Sequence, residues 1–308
     1  MTGAALDRLI LLRAEPPPLT DLVPGAVPIA SCHFMLVADL LARRGCPGFE
    51  ERLGLAWGCQ FLGSGVLFGS MTWNAVLAEV SGATVSIERF VDQAAARARE
   101  IDLSAQGLSF AVEVDEFYLP GYPTSRHVVH AINVLERSAD RVRFVDPQVS
   151  PTVHEIGADE FDRMRAEPCA GRVEPFKLYA LTGLPLVEPT ADTIVTAVRN
   201  HLQDLHPRSM TALAQFAQWA AVSDEPIDTC RVAGERFQAA KLFRFLGREG
   251  VDGADAIGER LASLADEWYI VHMLGTNARL DSRRRDRVVR LLTRLADAES
   301  DLMEMVVR

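Results

Sequence analysis

The sequence lacks several features that would assign it to well-known classes of protein. No apolar run approaches the roughly 20 residues of a membrane-spanning helix. The N-terminal stretch has neither a basic segment nor a small-residue cleavage site, so we expect no signal peptide. Basic residues are in deficit, with 32 lysines and arginines against 42 aspartates and glutamates and a net charge of -10. This balance argues against nucleic acid and anionic membranes as partners.

Cysteine is sparse and shows none of the spacings that bind metal or build a disulfide framework. The five cysteines stand at positions 32, 46, 59, 169 and 230, an odd and scattered set without a C-x-x-C pair. We therefore expect no metal site, and we expect free thiols in a reducing, cytoplasmic setting. Most free thiols are small buried hydrophobes, so a reactive one needs a separate argument.

Two parts of the chain differ in pattern. Residues up to about 184 mix short helices with runs of strand character, whereas the chain beyond residue 188 has helical periodicity throughout. The segment TGLPLVEPT at 182–190, with a glycine and two prolines, predicts the boundary. The fold class is therefore α+β, with a mixed domain over 1–184 and an all-α domain over 185–308. The predicted helices of the second domain are 191–205, 208–222, 228–248, 254–275 and 282–307.

The first domain has one helix of special interest. Ser31 is a suitable N-cap, apolar residues follow at helical spacing, and Gly45 and Pro47 end the segment, so a helix is predicted to begin at Cys32. A second helix, on the surface, is predicted at 86–100. The predicted strands are 108–119, 130–136, 141–147 and 176–181. The polar link at 137–140 predicts a hairpin between the second and third strands.

Cys32 stands where a helix favours a negative charge. The first backbone N–H groups of a helix have no partner within it, and the macrodipole is positive at that end. Both effects favour thiolate over thiol, and the same N–H groups can bind the oxyanion of a tetrahedral intermediate. Cys32 is therefore a candidate nucleophile, although a cysteine at a helix start is more often structural.

His130 begins one predicted strand and Asp146 ends the next. In a hairpin these positions lie at the same end of the sheet, where an aspartate can fix the tautomer of an imidazole. A cysteine and a histidine about a hundred residues apart, one on a helix and one on a sheet, form the arrangement of papain-like enzymes. The alternative is a structural histidine at a strand edge and a turn aspartate before Pro147.

The run VDEFYLPGYPTSRHVVHAINVLERSADRVRFVDP resembles the signature of the butirosin-biosynthesis acyltransferase family. The family pattern has a cysteine at a helix start, an acidic stretch that ends in Y-L-P, an H-x-x-H that enters a strand, and a D-P that closes the next strand. The helical part is similar as well, in GERFQAAKLFRFLGREG and ADAESDL, so the resemblance covers nearly the whole chain. The matching elements are Cys32, 115–120, His127 with His130, and Asp146 with Pro147.

This resemblance implies a papain-like, cysteine peptidase-type first domain and an acyl-transfer reaction. The acyl or aminoacyl group would pass from the phosphopantetheine thioester of an acyl or peptidyl carrier protein to Cys32, and then to a small-molecule amine. No other cofactor is implied. Where related transporter peptidases have a glutamine before the cysteine, this chain has Ala26, so the backbone N–H of Cys32 is the first candidate oxyanion donor. A hydrolase or chain-releasing cyclase with the same triad, such as an amidase, peptidase or thioesterase-like enzyme, remains the alternative, as does a non-catalytic binding protein.

Several further residues are candidates to bind substrate. His127 could bind substrate or replace His130 as the base, and Tyr118 could line the acyl pocket or simply pack. Asp115 and Glu116 could hold a cationic amine, the alternative being a solvated strand end. His33 could face the pocket or the solvent.

The one dense basic cluster is Arg283 to Arg285 with Arg287 and Arg290. It could dock an acidic carrier protein, or it is a solvated helix face. A homodimer formed through the helical domain is a further possibility.

Overall fold

The structure is a computed structural model. It describes residues 32–45, 52, 57–63, 65–69, 73–120, 127, 129–147, 150–168, 176–183, 188–276 and 282–307, with the backbone alone at 32–34, 68, 73–76, 150 and 151. The described residues belong to two compact units. The first contains residues 32–45 and 83–183, and the second contains residues 52–82 and 188–307. The division at residue 184 stays a prediction of the sequence.

The described residues form eight α-helices and eight strands. In chain order they are α1 (Cys32–Arg43), β1 (Gln60–Phe61), β2 (Leu67–Phe68), α2 (Trp73–Ser81), β3 (Thr84–Arg89), α3 (Gln93–Ala105), β4 (Phe110–Asp115), β5 (Val129–Arg137), β6 (Arg141–Asp146), β7 (Ser150–Gly157), α4 (Ala158–Ala166), β8 (Lys177–Thr182), α5 (Ala191–Val222), α6 (Cys230–Arg248), α7 (Ala254–Gly275) and α8 (Ser282–Val307). The predicted mixed α+β class is confirmed.

The first unit is organised around one six-stranded sheet in the order β3-β8-β4-β5-β6-β7, and every neighbouring pair is antiparallel. The strands β4, β5 and β6 follow one another in sequence and in space. β8, in contrast, returns from far along the chain to pair with β4 and β3. This order places the end of β4, the start of β5 and the end of β6 at one end of the sheet.

One face of this sheet forms the main hydrophobic core of the first unit. Cross-strand partners point to the same face, so Val112 and its partner Ile132 lie together. They pack with side chains from α3 and α4, namely Leu103, Phe161 and Met164. A buried ionic network closes this core: Arg137 pairs with Glu100 of α3 and Asp162 of α4, and Arg165 also pairs with Glu100.

The opposite face carries α1. Residues 35–42 of this helix are all buried, and all of them except Asp39 are apolar. Asn133 of β5 joins the helix to the sheet, because its Nδ2 donates to the Leu36 carbonyl at 3.0 Å and to Asp39 Oδ2 at 2.7 Å. Asp39 also accepts from Arg43 Nε at 2.7 Å. These buried polar bonds fix the position of α1 along β5.

The second unit combines the hairpin of β1 and β2 with α2 and the helices α5 to α8. Its core contains a buried charged group. Glu299 Oε1 accepts from Arg236 Nε and from Trp268 Nε1, each at 2.7 Å. Burial alone would lower the pKa of Arg236, but the Glu299 carboxylate outweighs this effect and raises that pKa above its ordinary value. Arg236 therefore stays protonated inside the core.

Two predictions of secondary structure were wrong. The segment predicted as a helix at 86–100 begins as β3, and the helix α3 starts only at Gln93, where Asp92 caps it by accepting from Ala95 N at 2.8 Å. The two helices predicted at 191–205 and 208–222 are one helix, α5, which continues through Pro207. Both halves of α5 bury apolar residues, and this packing outweighs the backbone hydrogen bond that a proline removes.

Candidate functional site

His130 and Asp146 lie in direct contact at the end of the sheet. His130 Nε2 is 2.9 Å from Asp146 Oδ2, and the two side chains are 8% and 6% exposed. The contact follows from the hairpin: Asn133 of β5 pairs with Val145 of β6, which brings Asp146 diagonally opposite His130. The structure therefore brings together two of the three predicted catalytic residues. Because Nε2 contacts the carboxylate, the other ring nitrogen of His130, Nδ1, is directed away from Asp146.

A second histidine–carboxylate pair lies beside the first. His127 Nδ1 is 2.6 Å from Asp115 Oδ2, and Asp115 Oδ1 accepts from Phe117 N at 3.1 Å. The Asp115 side chain has no exposed surface, whereas the His127 side chain is 48% exposed. Asp115 therefore orients His127, and His127 is the member of the pair that solvent can reach.

Aromatic side chains surround His127. The Phe117 ring stacks on the His127 ring with their centroids 4.4 Å apart, and Tyr118 lies edge-on at 6.1 Å. The Arg163 guanidinium lies over the Tyr118 ring, 5.1 Å from its centre. Three consecutive residues that follow β4 therefore contribute to the site, because Glu116–Tyr118 forms a 3₁₀ turn.

Glu116, the first residue of that turn, approaches His130 from the side of its second ring nitrogen, Nδ1. Its Oε2 is 3.9 Å from His130 Nδ1, and its side chain is 24% exposed. The sequence analysis named both Asp115 and Glu116 as groups that could hold a cationic amine, with Asp115 as the predicted substrate-binding residue; in the structure Asp115 is buried and Glu116 is accessible.

Cys32 is the first residue of α1, as predicted, although its side chain and that of His33 lie outside the described part of the structure. By register, His130 shares a face with Val114 and the hydrophobic core, while α1 binds Asn133 on the other face. His130 is the second residue of β5, which begins at Val129. α1 and the His130 side chain are therefore on opposite faces of the sheet, and a contact between Cys32 and His130 would have to pass around the N-terminal end of β5.

Two other cysteines are described, and both are held as thiols. Burial raises the pKa of Cys59 to about 12, and it does the same for Cys230. Thiolate is the nucleophilic form, so neither residue is suited to attack a carbonyl near neutral pH. Cys46 and Cys169 lie outside the described residues.

One group of side chains in the described part of the chain could hold a metal ion, and the sequence analysis missed it. Ligand atoms of Asp228, Cys230 and His272 lie within 4.8 Å of one another. His272 Nδ1 is 3.1 Å from Asp228 Oδ1, and this bond lowers the pKa of Asp228. The sequence gives no signal, since His272 is on a different helix from Cys230. Zinc takes such ligands, but the Cys230 thiol would first have to lose its proton.

No model of a known protein family matches the chain, and no curated protein matches its sequence. None of the described helices combines the length and the apolar character that crossing a membrane requires.

Proposed function

We propose that this protein is a cysteine-dependent acyltransferase of natural-product biosynthesis, in which Cys32 carries the acyl group. The proposal includes a papain-like architecture for the first unit. The observation that carries it is the buried His130–Asp146 pair, whose orientation directs Nδ1 away from the carboxylate. The helix that begins at Cys32 is fixed to the same strand, β5, through Asn133. The order of cysteine, Y-L-P, H-x-x-H and D-P in the sequence supports the same conclusion.

The first half-reaction loads the enzyme. His130 Nδ1 accepts the proton of the Cys32 thiol, and the thiolate attacks the carbonyl carbon of a carrier-bound thioester. The backbone N–H groups at the start of α1 are suited to stabilise the oxyanion. When the intermediate collapses, the C–S bond to phosphopantetheine breaks and the departing thiolate takes the proton from His130. One thioester replaces another, so the step is nearly balanced in free energy.

The second half-reaction transfers the acyl group. A neutral amine attacks acyl-Cys32, the C–N bond forms, and the C–S bond to Cys32 breaks. His130 Nδ1 accepts the proton that the new amide nitrogen loses, which leaves a thiolate–imidazolium pair. Asp146 stabilises that imidazolium through Nε2. An acyl or peptidyl carrier protein, a small-molecule amine and a cytoplasmic location belong to this proposal.

Hydrolysis or chain release by the same residues is the second candidate. The observation that favours it is the half-exposed His127 ring, which leaves one side of the site open to water. Water would then compete with the amine for acyl-Cys32, and a site that excludes water poorly favours hydrolysis. A cyclase would use a nucleophile of the acyl chain itself.

A product assay tests the proposal. Acylated carrier protein is incubated with a panel of amines, and amide and free acid are quantified by liquid chromatography and mass spectrometry. We expect amide from the wild type and none from Cys32→Ala. Cys230→Ala is the matched control, because Cys230 also begins a helix but its thiol pKa is about 12, and it should form amide as the wild type does. Free acid without amide would favour the hydrolase, and amide from Cys32→Ala would refute the mechanism.

A further inference from the structure

The accessible carboxylate beside the base is Glu116. Its Oε2 lies 3.9 Å from His130 Nδ1, the nitrogen that faces away from Asp146, and about a quarter of the side chain is exposed. Among the described residues, neither lysine nor arginine forms an ion pair with Glu116. The Glu116 carboxylate therefore lies next to His130 Nδ1, the proposed proton acceptor, and it is accessible to a ligand.

The neighbouring carboxylate cannot take this role. Asp115 is fully buried, and its two oxygens already accept from His127 and from the backbone of Phe117. Of these two carboxylates, a cationic substrate at this end of the sheet can therefore contact Glu116 but not Asp115.

The surroundings of Glu116 suit an organic cation. Phe117, the next residue in the chain, is 42% exposed, and one face of its ring stacks on His127. An aromatic face and a carboxylate together attract an ammonium group, by cation–π interaction and by charge. The net charge of -10 also attracts cationic rather than anionic small molecules to this chain.

We propose that Glu116 binds the acceptor as its ammonium form and so selects amines over neutral nucleophiles. This inference rests on the proposed function and names the determinant of its second half-reaction. The bound R–NH₃⁺ loses one proton to solvent and becomes R–NH₂. The amine then attacks acyl-Cys32, and its second proton passes to His130 Nδ1 as the C–S bond breaks. Glu116 positions the nitrogen next to the base that receives this proton.

A competition experiment tests the selectivity. Acyl-enzyme of the wild type, Glu116→Gln and Glu136→Gln is offered n-butylamine, which is protonated at pH 7.5, together with hydroxylamine, which is neutral there. We expect the amide-to-hydroxamate ratio to fall about 10-fold or more in Glu116→Gln, because glutamine keeps the shape but loses the charge. Glu136 lies at the other end of β5 and pairs with Arg143, so Glu136→Gln should keep the wild-type ratio. An unchanged ratio in Glu116→Gln, or equal loss of both products, would overturn the inference.

A binding experiment remains informative even without acyl transfer. Binding of n-butylamine to the Cys32→Ala protein at pH 7.5 is measured by saturation-transfer NMR, with and without Glu116→Gln. We expect the signal of the amine to drop at least several-fold when Glu116 is replaced, and to persist with Glu136→Gln. Equal signals from all three proteins would refute the ammonium site, whereas absence of acyl-Cys32 in the wild type would refute the proposed function and leave this measurement valid.

Discussion

At the scale of single residues, two histidine–carboxylate pairs lie at the same end of one sheet and differ in exposure. His130 and Asp146 are buried, while His127 is half-exposed on a buried Asp115. A base that must hold its orientation through two half-reactions benefits from burial and a fixed tautomer. A residue that contacts the substrate must instead be accessible from the solvent. This difference in exposure supports the proposed roles, with His130 as the base and His127 as a substrate contact.

Substitution of these residues should separate the two roles. We expect His130→Gln to lower kcat by about 10²–10⁴-fold, the usual contribution of a general base. Asp146→Asn should cost less, because the amide oxygen can still accept from Nε2–H. His127→Gln should act mainly on KM of the acceptor. Steady-state kinetics of amide formation measures all three, with Asp140→Asn, an exposed turn residue of the same hairpin, as control. A larger kcat loss for His127→Gln than for His130→Gln would exchange their roles.

Thiol reactivity provides an independent measurement. Because burial raises the pKa values of Cys59 and Cys230 to about 12, both remain protonated up to strongly alkaline pH. We expect iodoacetamide at pH 7.5 to leave both thiols unmodified in the native protein and to modify both in guanidinium. Cys32 should react in the native protein, because a helix N-terminus favours thiolate. Peptide mass spectrometry reads each site, and native modification of Cys59 or Cys230 at the denatured rate would contradict the assignment.

At the scale of elements, buried polar contacts determine where the helices of the first unit lie. Asn133 binds α1 through the Leu36 carbonyl and Asp39. On the other face, Arg137 binds α3 and α4 through Glu100 and Asp162. Both residues are on β5, the strand that also carries His130, so this strand connects the core helices with the candidate site.

Loss of the Arg137 network should destabilise the first unit strongly. Arg137→Met removes the cation that Glu100 and Asp162 share, while Glu100 keeps Arg165 and Asp162 keeps Arg97. We therefore expect a cost near the lower end of the roughly 3–5 kcal/mol that breaking a buried ion pair costs. Arg143→Met is the matched control on the neighbouring strand. Its partners Glu136 and Glu155 are exposed, so its cost should stay below about 1 kcal/mol.

The measurement of these stability changes has to report the unfolding of the first unit. All four tryptophans lie within 52–82 and 188–307, so intrinsic fluorescence reports the second unit. Hydrogen-exchange mass spectrometry of peptides from β4 to β6, at increasing urea concentration, follows the first unit directly. Equal losses of stability in the two variants would show that the buried network contributes no more than a surface pair.

At the scale of the whole molecule, local signals in the sequence predicted much of the fold. The bounds of α7 and α8 agree with their predicted ranges, and the β5–β6 hairpin, together with the His130–Asp146 contact, followed from strand periodicity and a polar turn. Each of these features is determined by residues that are close to one another in the sequence.

The features that the sequence analysis did not predict depend on contacts between residues far apart in the chain. β3 was overlooked because its register is set by β8, nearly a hundred residues later, and α5 passes through Pro207 because both of its halves are buried. The approach of Glu116 to His130 depends on a side-chain position that a sequence pattern does not encode.

Formation of acyl-Cys32 is the central claim, and intact-protein mass spectrometry tests it most directly. Wild type, Cys32→Ala and Cys230→Ala are mixed with a series of acyl-pantetheine thioesters and with acylated carrier protein. The account predicts a mass gain equal to one acyl group on the wild type and on Cys230→Ala, and none on Cys32→Ala. The same gain on Cys32→Ala, or no gain on the wild type with any donor, would contradict it.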